Sequence, residues 1–294
     1  MNERDHLLPE VRLAIDRGKA ERLAIVDREA YIPYPRAEEI LQEMERLYSS
    51  GGSTGLLISA PSGNGKSTMF KVFAKRHPRG QRPDYEEISV LRVETPEVPG
   101  GRRFLGAILE AFGFDDYDSD SLERRRIRVI RELKGTHVKV MLVDEIHNLL
   151  AGSPKLKEET ANLLKNLSNT FEMPIIFAGT ERAENVFRYD AQLVKRFPIA
   201  RLPTWTDGNG FRFFLRALES TLPLQRPSYL YDDEKAAYLL KHSQGVLADI
   251  VLVVREAARR AIEDGSERIT AEGLGKSHFR SHLVINPLVS STQL

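Results

Sequence analysis

The sequence predicts an α/β protein, in which a parallel sheet is covered by helices on both faces and a smaller helical region follows. Three observations lead to this fold class. Short apolar runs of β type alternate with segments of helical periodicity between residues 51 and 203. A glycine-rich turn follows the first of these runs and precedes a helix-compatible segment. Strand-like runs end near Thr204, and only helical patterns come after it.

The composition indicates a globular chain with one large domain, or a main domain and a companion. It has 294 residues, of which 41% are hydrophobic and 29% charged. No cysteine is present, which excludes disulfides and thiolate metal sites and fits the cytoplasm, our expected location. The charged start and the lack of a long apolar run predict neither a secretory signal nor contact with a membrane. Because the formal net charge is only +1, any nucleic-acid binding must come from a local basic patch.

Residues 1–50 are predicted to form an N-terminal arm and an amphipathic helix. The apolar positions of that helix recur at helical spacing and are Ala37, Ile40, Leu41, Met44, Leu47 and Tyr48. Residues 51–203 are predicted to form the α/β core. Its expected strands lie at 56–59, 88–93, 138–143 and 174–178, and its expected helices at 69–74, 104–112, 122–133 and 161–171.

Residues 204–282 are predicted to form a small helical domain. Its helices are expected at 211–222, 233–242 and 250–262, and Thr270 is expected to cap a last short helix. Residues 283–294 form a tail whose first part is apolar. The sequence leaves open whether this tail docks on its own domain or is recognised by a partner.

The glycine-rich turn has the pattern of a phosphate-binding loop. Its residues, which we predict to bind a nucleotide, are Ala60, Pro61, Ser62, Gly63, Asn64, Gly65, Lys66, Ser67 and Thr68. In such loops the backbone N–H groups and a helix N-terminus surround the phosphates, and the lysine reaches the outer ones. Ala60 stands where the pattern has its first glycine, and it would be strained if that position required a positive φ.

A buried strand that ends in Asp144 and Glu145 supplies the acids of the predicted site. The carboxyl ends of strands face the ligand crevice in open parallel sheets. An acid placed there needs a compensating charge, and Mg²⁺ bound to phosphate oxygens would provide it. We therefore predict ATP and Mg²⁺ as cofactors, with Ser67 and Asp144 on the metal. Glu145 is the predicted catalytic residue that polarises the attacking water, and Lys66 neutralises the phosphates.

From about Tyr31 to His278 the chain resembles the AAA+ ATPases, and within them the TniB/TnsC-type regulators of bacterial DNA transposition. The resemblance rests on the loop from Ala60 to Ser67, on residues 143–149 and 176–180, and on residues 192–197. It implies a P-loop fold in three αβα layers, with a parallel sheet and a small C-terminal helical lid.

The resemblance also implies roles for further residues. Thr180 would orient the attacking water, although a turn residue that caps its own backbone is the alternative. Arg196 would reach the site of a neighbouring subunit as an arginine finger, with Arg182, Arg188 and Arg201 as rivals. Tyr34 lies where related ATPases hold the adenine, although core packing explains its ring equally well.

One departure concerns the helical lid. Many AAA+ proteins carry an arginine there soon after a glycine, whereas here Gly245 is followed by no basic residue until Arg255. A lid of this kind would contact the nucleotide weakly or through another residue.

Two basic segments are candidates for contact with DNA. Arg102 and Arg103 follow a glycine pair, in a predicted loop that lines the bore of the assembly in related transposition ATPases. A solvated loop is the alternative there. The arginine-rich helix at 124–131 is better explained as a charged outer face. His147 gives a short helicase-like string with the preceding acids, and we interpret it as a residue that supports the site or the structure.

These inferences predict an ATPase that assembles on double-stranded target DNA as a ring or filament, selects the site and recruits a transposase. The expected partners are that DNA, further copies of the chain, and the transposase and target-selection protein of the same element. Two alternatives stay open, namely an ATPase resembling a helicase loader and a nucleotide-gated scaffold with negligible hydrolysis.

Overall fold

The computed structural model describes residues 4–28, 31–81, 86–151, 153–171, 173–188 and 190–276. Contacts divide the chain into two compact units, one of residues 36–203 and the other of residues 1–35 together with 204–294. The sequence groups residues 1–50 as one region, whereas the contacts divide this stretch after Pro35. The reason is that Val26 and Ile32 pack into the hydrophobic core of the helical unit. The predicted tail lies outside the described residues.

The described part of the chain contains helices and strands in the following order. The helices are α1 (Pro9–Arg12), α2 (Lys19–Asp27), α3 (Pro35–Ser50), α4 (Lys66–Arg76), α5 (Gly101–Ala111), α6 (Leu122–Gly135), α7 (Ile146–Leu149), α8 (Pro154–Phe171), α9 (Glu181–Arg188), α10 (Ala191–Arg196), α11 (Asn209–Ser220), α12 (Asp233–Ser243), α13 (Leu247–Glu263) and α14 (Ala271–Gly275). The strands are β1 (Leu56–Ser59), β2 (Gly80–Gln81), β3 (Glu86–Glu87), β4 (Val90–Glu94), β5 (Val140–Asp144), β6 (Ile175–Gly179) and β7 (Ile199–Arg201).

The main sheet of the core unit has the strand order β4-β5-β6-β1-β7, and every pairing in it is parallel. Strands β1 and β6 are buried along their whole length, as a parallel strand covered on both faces must be. This confirms the predicted α/β fold class with a parallel sheet. Strand β7 was not predicted, because it is a three-residue edge strand that is only partly buried. Strands β2 and β3 form a separate antiparallel pair.

The sheet of the core unit packs against helices through a cluster of aromatic rings. The rings of Phe177, Phe187 and Phe197 meet edge to face, with centroids 5.0–5.8 Å apart. Gly55 precedes β1 at a point where a Cβ would lie 2.0 Å from the carbonyl oxygen of Ile175. A side chain there would push β1 away from its neighbours, so this close approach requires glycine.

The helical unit has its own core, and the N-terminal segment is part of it. Arg22 is 4% exposed, and its guanidinium donates to the carbonyl of Pro223 and forms an ion pair with Glu267. A buried charge of this kind is tolerated only when it is paired, so the contact fixes α2 against the chain around residue 267. The cap at Thr270 is confirmed, since its Oγ1 accepts from the N–H of Gly273 at 3.0 Å. Within the described ranges, every helix is too short or too polar to cross a bilayer.

Candidate functional site

The loop between β1 and α4 takes its shape from two glycines with positive φ. Gly63 has a φ of 78°, and Gly65, which precedes the first residue of α4, has a φ of 87°. Ala60 has no positive φ, so it carries no strain at the position where the pattern has a glycine. Glycine therefore occupies the two positions of the loop, 63 and 65, at which the backbone has a positive φ. No side chain caps the N-terminus of α4, and a helix N-terminus of this kind attracts anions.

Asn64 anchors the loop to the neighbouring edge of the sheet. The residue is 2% exposed, and its Nδ2 donates to the carbonyl of Leu202 at 3.2 Å. Leu202 follows β7 and in turn donates its N–H to the carbonyl of Ser59. Pro61, Ser62 and Gly63 at the tip of the loop are exposed. The base of the loop is thus fixed while its tip faces solvent.

Lys66 is the first residue of α4, and its ammonium group is buried inside the loop. Its Nζ donates to the carbonyls of Ala60 and Pro61, at 2.9 and 3.0 Å. Burial lowers the pKa of Lys66 below its ordinary value, and the charges of Glu145 and Asp144 partly oppose this shift. The two acids predicted from the sequence therefore lie close enough to Lys66 to act on its charge. A phosphate bound in the loop would add a further counter-charge to this buried cation.

The strand order explains why these groups meet. Strand β6 lies between β1 and β5, and all three run parallel, so their carboxyl ends share one edge of the sheet. The phosphate-binding loop follows β1, Asp144 ends β5, and Thr180 directly follows β6. Thr180 therefore comes between the loop and the acids, as its predicted role near the attacking water requires. Its carbonyl accepts the N–H of Ala183 and so begins α9.

The backbone of Glu145 is left-handed, with φ 54° and ψ 36°. This conformation is uncommon for a residue with a side chain, and it persists only where surrounding contacts enforce it. Here the Oδ1 of Asp144 accepts the N–H of Glu145 at 2.9 Å. The hydroxyl of Thr95 bridges the carbonyls of Asp144 and Glu145 at 3.0 and 2.6 Å. Thr95 was missed by the sequence analysis, although it follows the strand beside β5 and so lies at the same edge.

Replacing Thr95 with valine should lower kcat for ATP hydrolysis by about tenfold, because Glu145 would shift when its carbonyl loses the bridging donor. Valine keeps the shape and removes only the hydroxyl, so steady-state hydrolysis and thermal unfolding measured together separate catalysis from stability. Thr136→Val is the matched control, since the Thr136 hydroxyl donates to the Glu132 carbonyl at 2.7 Å at the end of α6. Equal losses of activity in both variants would refute a specific role for Thr95.

Mg²⁺ fits the chemistry of the predicted donors. Such a site typically uses one or two protein oxygens and completes its coordination with phosphates and water. Ser67 in the first turn of α4 offers a hydroxyl, and Asp144 retains Oδ2 after Oδ1 accepts a backbone N–H. Within the described ranges, no group of three or more acids and histidines could hold a metal ion by itself.

A pocket of about 740 Å³ adjoins the phosphate-binding loop in the core unit. Its lining includes Ala60, Pro61, His147 and Thr180. The remaining lining residues come from β1, from α9 and from the end of β7: Ser59, Glu181, Arg182, Glu184, Asn185, Arg188, Arg201, Leu202 and Pro203. The pocket therefore joins the first residues of the loop to the predicted water-orienting threonine.

The four candidate arginines differ in the contacts that they make within their own chain. Arg188 and Arg201 both form ion pairs with Glu184, a buried carboxylate whose pKa is held below its ordinary value by the bond from Arg201. Arg182 lines the pocket beside the chain's own phosphate-binding loop. Within the described part of the chain, the guanidinium of Arg196, at the end of α10, donates one long bond of 3.5 Å to the carbonyl of Lys165. Arg196 is thus held weakly, whereas Arg188 and Arg201 are engaged within their own chain.

Tyr34 belongs to the helical unit and not to the core unit that carries the loop. Its ring packs against Trp205 and Phe214, with centroid distances of 4.9 and 6.1 Å. These contacts belong to the hydrophobic core of the helical unit. Contact between Tyr34 and an adenine stays a prediction.

The glycine of the lid, Gly245, has a φ of 74° and packs against the backbone of Trp205. Trp205 donates its N–H to the carbonyl of Gly245 at 2.8 Å. Arg255, the next basic residue, donates to the carbonyl of Arg28 at 2.7 Å within the same unit. This arginine therefore makes a structural contact in the helical unit.

The predicted DNA-binding arginines lie in the first turn of α5, and not in a loop as the glycine pair indicated. Gly100 is the N-cap residue, with a φ of 141° outside the helical region, and the helix begins at the next residue, Gly101. Arg102 donates to the carbonyls of Asp120 and Asp118, at 3.1 and 2.7 Å. Arg103 is exposed and forms no ion pair within the described ranges. Arg103 is therefore the more available of the two to a phosphate.

The chain is similar to one protein family and to several solved structures. The family model described as Bacterial TniB protein matches residues 22–207. The Aeropyrum pernix ORC2 protein, solved as ADPNP and ADP complexes, has a TM-score of 0.59 at 16% identity, over 91% of this chain and 72% of that one. The ORC1 protein of the same organism, solved in complex with DNA, has a TM-score of 0.57 at 14% identity, over 89% of this chain and 69% of that one.

A third solved structure, Cdc6p from Pyrobaculum aerophilum, has a TM-score of 0.56 at 14% identity, over 85% of this chain and 68% of that one. At such identities the likeness to solved structures shows the fold alone. No curated protein matches the chain.

Proposed function

The chain belongs to the TniB family and has the AAA+ ATPase fold, and on that premise we propose that it is an ATP-hydrolysing, DNA-binding regulator of bacterial transposition. In this proposal ATP promotes assembly of the protein on double-stranded target DNA. The assembly selects the site and recruits the transposase, together with the target-selection protein of the same element. Hydrolysis then takes the assembly apart. We also propose that the protein acts in the cytoplasm.

The meeting of Lys66, Asp144 and Glu145 at one edge of the sheet supports this proposal most strongly. A buried ammonium close to two carboxylates, beside a helix N-terminus without a side-chain cap, matches the charge pattern of a triphosphate and its metal. The family and the fold are consistent with nucleotide binding. The closeness of Lys66 to Asp144 and Glu145 adds the groups that binding and hydrolysis of the nucleotide would need.

We assign one role to each residue of the proposed site. The loop N–H groups hold the phosphates, and Lys66 moves from the loop carbonyls to the β- and γ-phosphate oxygens. Glu145 takes a proton from water as that water attacks the γ-phosphate, and Thr180 orients the water. Ser67 and Asp144 would hold Mg²⁺, which would neutralise charge on the phosphates.

We propose that neighbouring subunits meet head to tail, because Arg196 would then complete the site of the next copy. A heterologous contact of this kind closes into a ring or continues as a helical filament. The weak hold on Arg196 within its own chain supports this role. On the DNA side, Arg103 would contact phosphates without reading sequence, and Arg102 would position the start of α5.

Replacing Arg196 with alanine should lower kcat by about a thousandfold at unchanged ATP affinity, because a trans arginine acts on charge in the transition state. Mixing Arg196→Ala with Lys66→Ala subunits should restore part of the activity, since a pair of the two variants contains one complete site. Steady-state hydrolysis across mixing ratios measures this. Lys195→Ala, an exposed change on the same helix, is the control. A mixture with no more activity than its components would show that Arg196 does not act in trans.

Imaging the protein with duplex DNA and a slowly hydrolysed ATP analogue tests the proposal. We expect ordered rings or filaments on the DNA with the analogue and none with ADP. Isolated subunits under both conditions would contradict it. Steady-state hydrolysis with and without DNA distinguishes an ATPase from a nucleotide-gated scaffold, whose turnover would be negligible.

A further inference from the structure

His147 contacts the carboxylate that the proposed mechanism uses as its base. It follows Glu145 by two residues, on the short helix α7, and its Nε2 lies 3.1 Å from the Oε2 of Glu145. The side chain of His147 is 22% exposed and that of Glu145 is 35% exposed, so both are partly withdrawn from water. His147 also lines the pocket that Thr180 and Pro61 share. The histidine is therefore placed at the site and not on the outer surface.

The surroundings of the ring assign its tautomer. An ionised carboxylate can only accept hydrogen bonds, so the nitrogen that faces Glu145 carries the proton. The other nitrogen, Nδ1, is buried and has no hydrogen-bond partner within the described residues. A buried N–H without an acceptor would be costly, which favours leaving the proton on Nε2. The ring therefore presents its Nε2–H to Glu145, at a distance of 3.1 Å between Nε2 and Oε2.

The backbone of Glu145 is fixed, but its side chain has three rotatable bonds. Thr95 and Asp144 hold the left-handed main chain of this residue. Neither of those contacts reaches the carboxylate, which would otherwise sample several rotamers. A general base must lie within hydrogen-bond reach of the water it deprotonates, and a third group commonly orients it. Within the described part of the chain, the Nε2 of His147 lies 3.1 Å from this carboxylate and is placed to act as that third group.

We propose that His147 is a positioning residue for Glu145: its Nε2–H holds one carboxylate oxygen, so that the other oxygen faces the water that attacks the γ-phosphate. This inference rests on the proposed function and assigns a residue beyond the loop, the two acids and Thr180. We expect the contact between Nε2 and Oε2 to tighten when substrate brings the water into line, as catalytic hydrogen bonds commonly do. His147 itself exchanges no proton with the substrate.

Two substitutions separate the donor from the rest of the ring. His147→Gln keeps an N–H donor near the position of Nε2, whereas His147→Ala removes it. We expect the alanine variant to lose about tenfold in kcat with the Kd for ATP unchanged, and the glutamine variant to stay within about threefold of wild type. The unchanged Kd for ATP also shows that each variant is folded at the site. Wild-type kcat in the alanine variant, or equal losses in both variants, would overturn the proposal.

A double-mutant cycle tests whether His147 acts through Glu145. In the Glu145→Gln background, His147→Ala should cause no further loss, because the group it positions is already disabled. Losses that multiply would show an independent role and would overturn the proposal.

The matched control is His77→Ala, which removes another histidine–glutamate pair in the same unit. The Nε2 of His77 lies 2.8 Å from the Oε2 of Glu45, at the far end of α4 from Lys66. This variant should keep wild-type kcat, and a loss equal to that of His147→Ala would overturn a specific role for His147. If the wild-type protein itself did not hydrolyse ATP, both this inference and the proposed hydrolysis would be overturned. Wild-type turnover with an unaffected His147→Ala variant would overturn this inference alone.

Discussion

Replacing Lys66 with alanine should raise the Kd for ATP by about a hundredfold and abolish ATP-dependent association with duplex DNA. The variant loses the cation that would meet the β- and γ-phosphates, and a charged hydrogen bond in a dehydrated site contributes about 3 kcal/mol. Burial of Lys66 within the loop makes this estimate apply, since an exposed lysine would contribute far less. Calorimetric titration gives the Kd, and a DNA-binding assay with and without ATP gives the second effect.

Lys75→Ala is the control for this variant. Lys75 lies on the same helix, is exposed, and carries the same charge. Its loss should leave the Kd for ATP within about twofold, as expected for an exposed charge. Unchanged nucleotide affinity in Lys66→Ala would contradict the assignment of the loop.

Replacing Glu145 with glutamine should lower kcat by about 10²- to 10⁴-fold while ATP still binds, because the amide cannot take a proton from water. ATP would then persist in the assembly, so DNA complexes should last far longer than those of the wild type. Single-turnover hydrolysis measures the chemical step, and dissociation from DNA after dilution measures the lifetime of the complex.

The matched control for the glutamine variant is Glu181→Gln, which changes an exposed carboxylate at the first residue of α9. It should hydrolyse ATP at the wild-type rate. Wild-type turnover in Glu145→Gln would remove Glu145 from the mechanism, whatever the behaviour of the control.

The sequence predicted the parts of the fold that have strong periodic patterns. The central strands β1, β5 and β6 are continuous apolar runs because both faces of each are buried. The edge strand β7 has no such run, since water reaches part of it. The sequence also did not predict that the N-terminal 35 residues belong to the helical unit. This arrangement depends on long-range contacts such as the ion pair between Arg22 and Glu267.

The candidate site was likewise predicted only in part from the sequence. Lys66, Asp144 and Glu145 could be predicted because loop and strand patterns place them at the ends of elements. The role of Thr95 could not, because it depends on β4 lying beside β5, and strand order is not visible in the sequence. The glycine pair before Arg102 indicated a loop, but helix α5 already begins at Gly101. The TniB resemblance was confirmed by the family match over residues 22–207.

Calorimetric titration of the wild-type protein with magnesium and a slowly hydrolysed ATP analogue tests the central claim most directly. The account predicts saturable heat with one nucleotide per chain, and loss of that heat in Lys66→Ala. A flat titration of the wild-type protein would contradict it, since every proposed role begins with a triphosphate bound at this edge of the sheet.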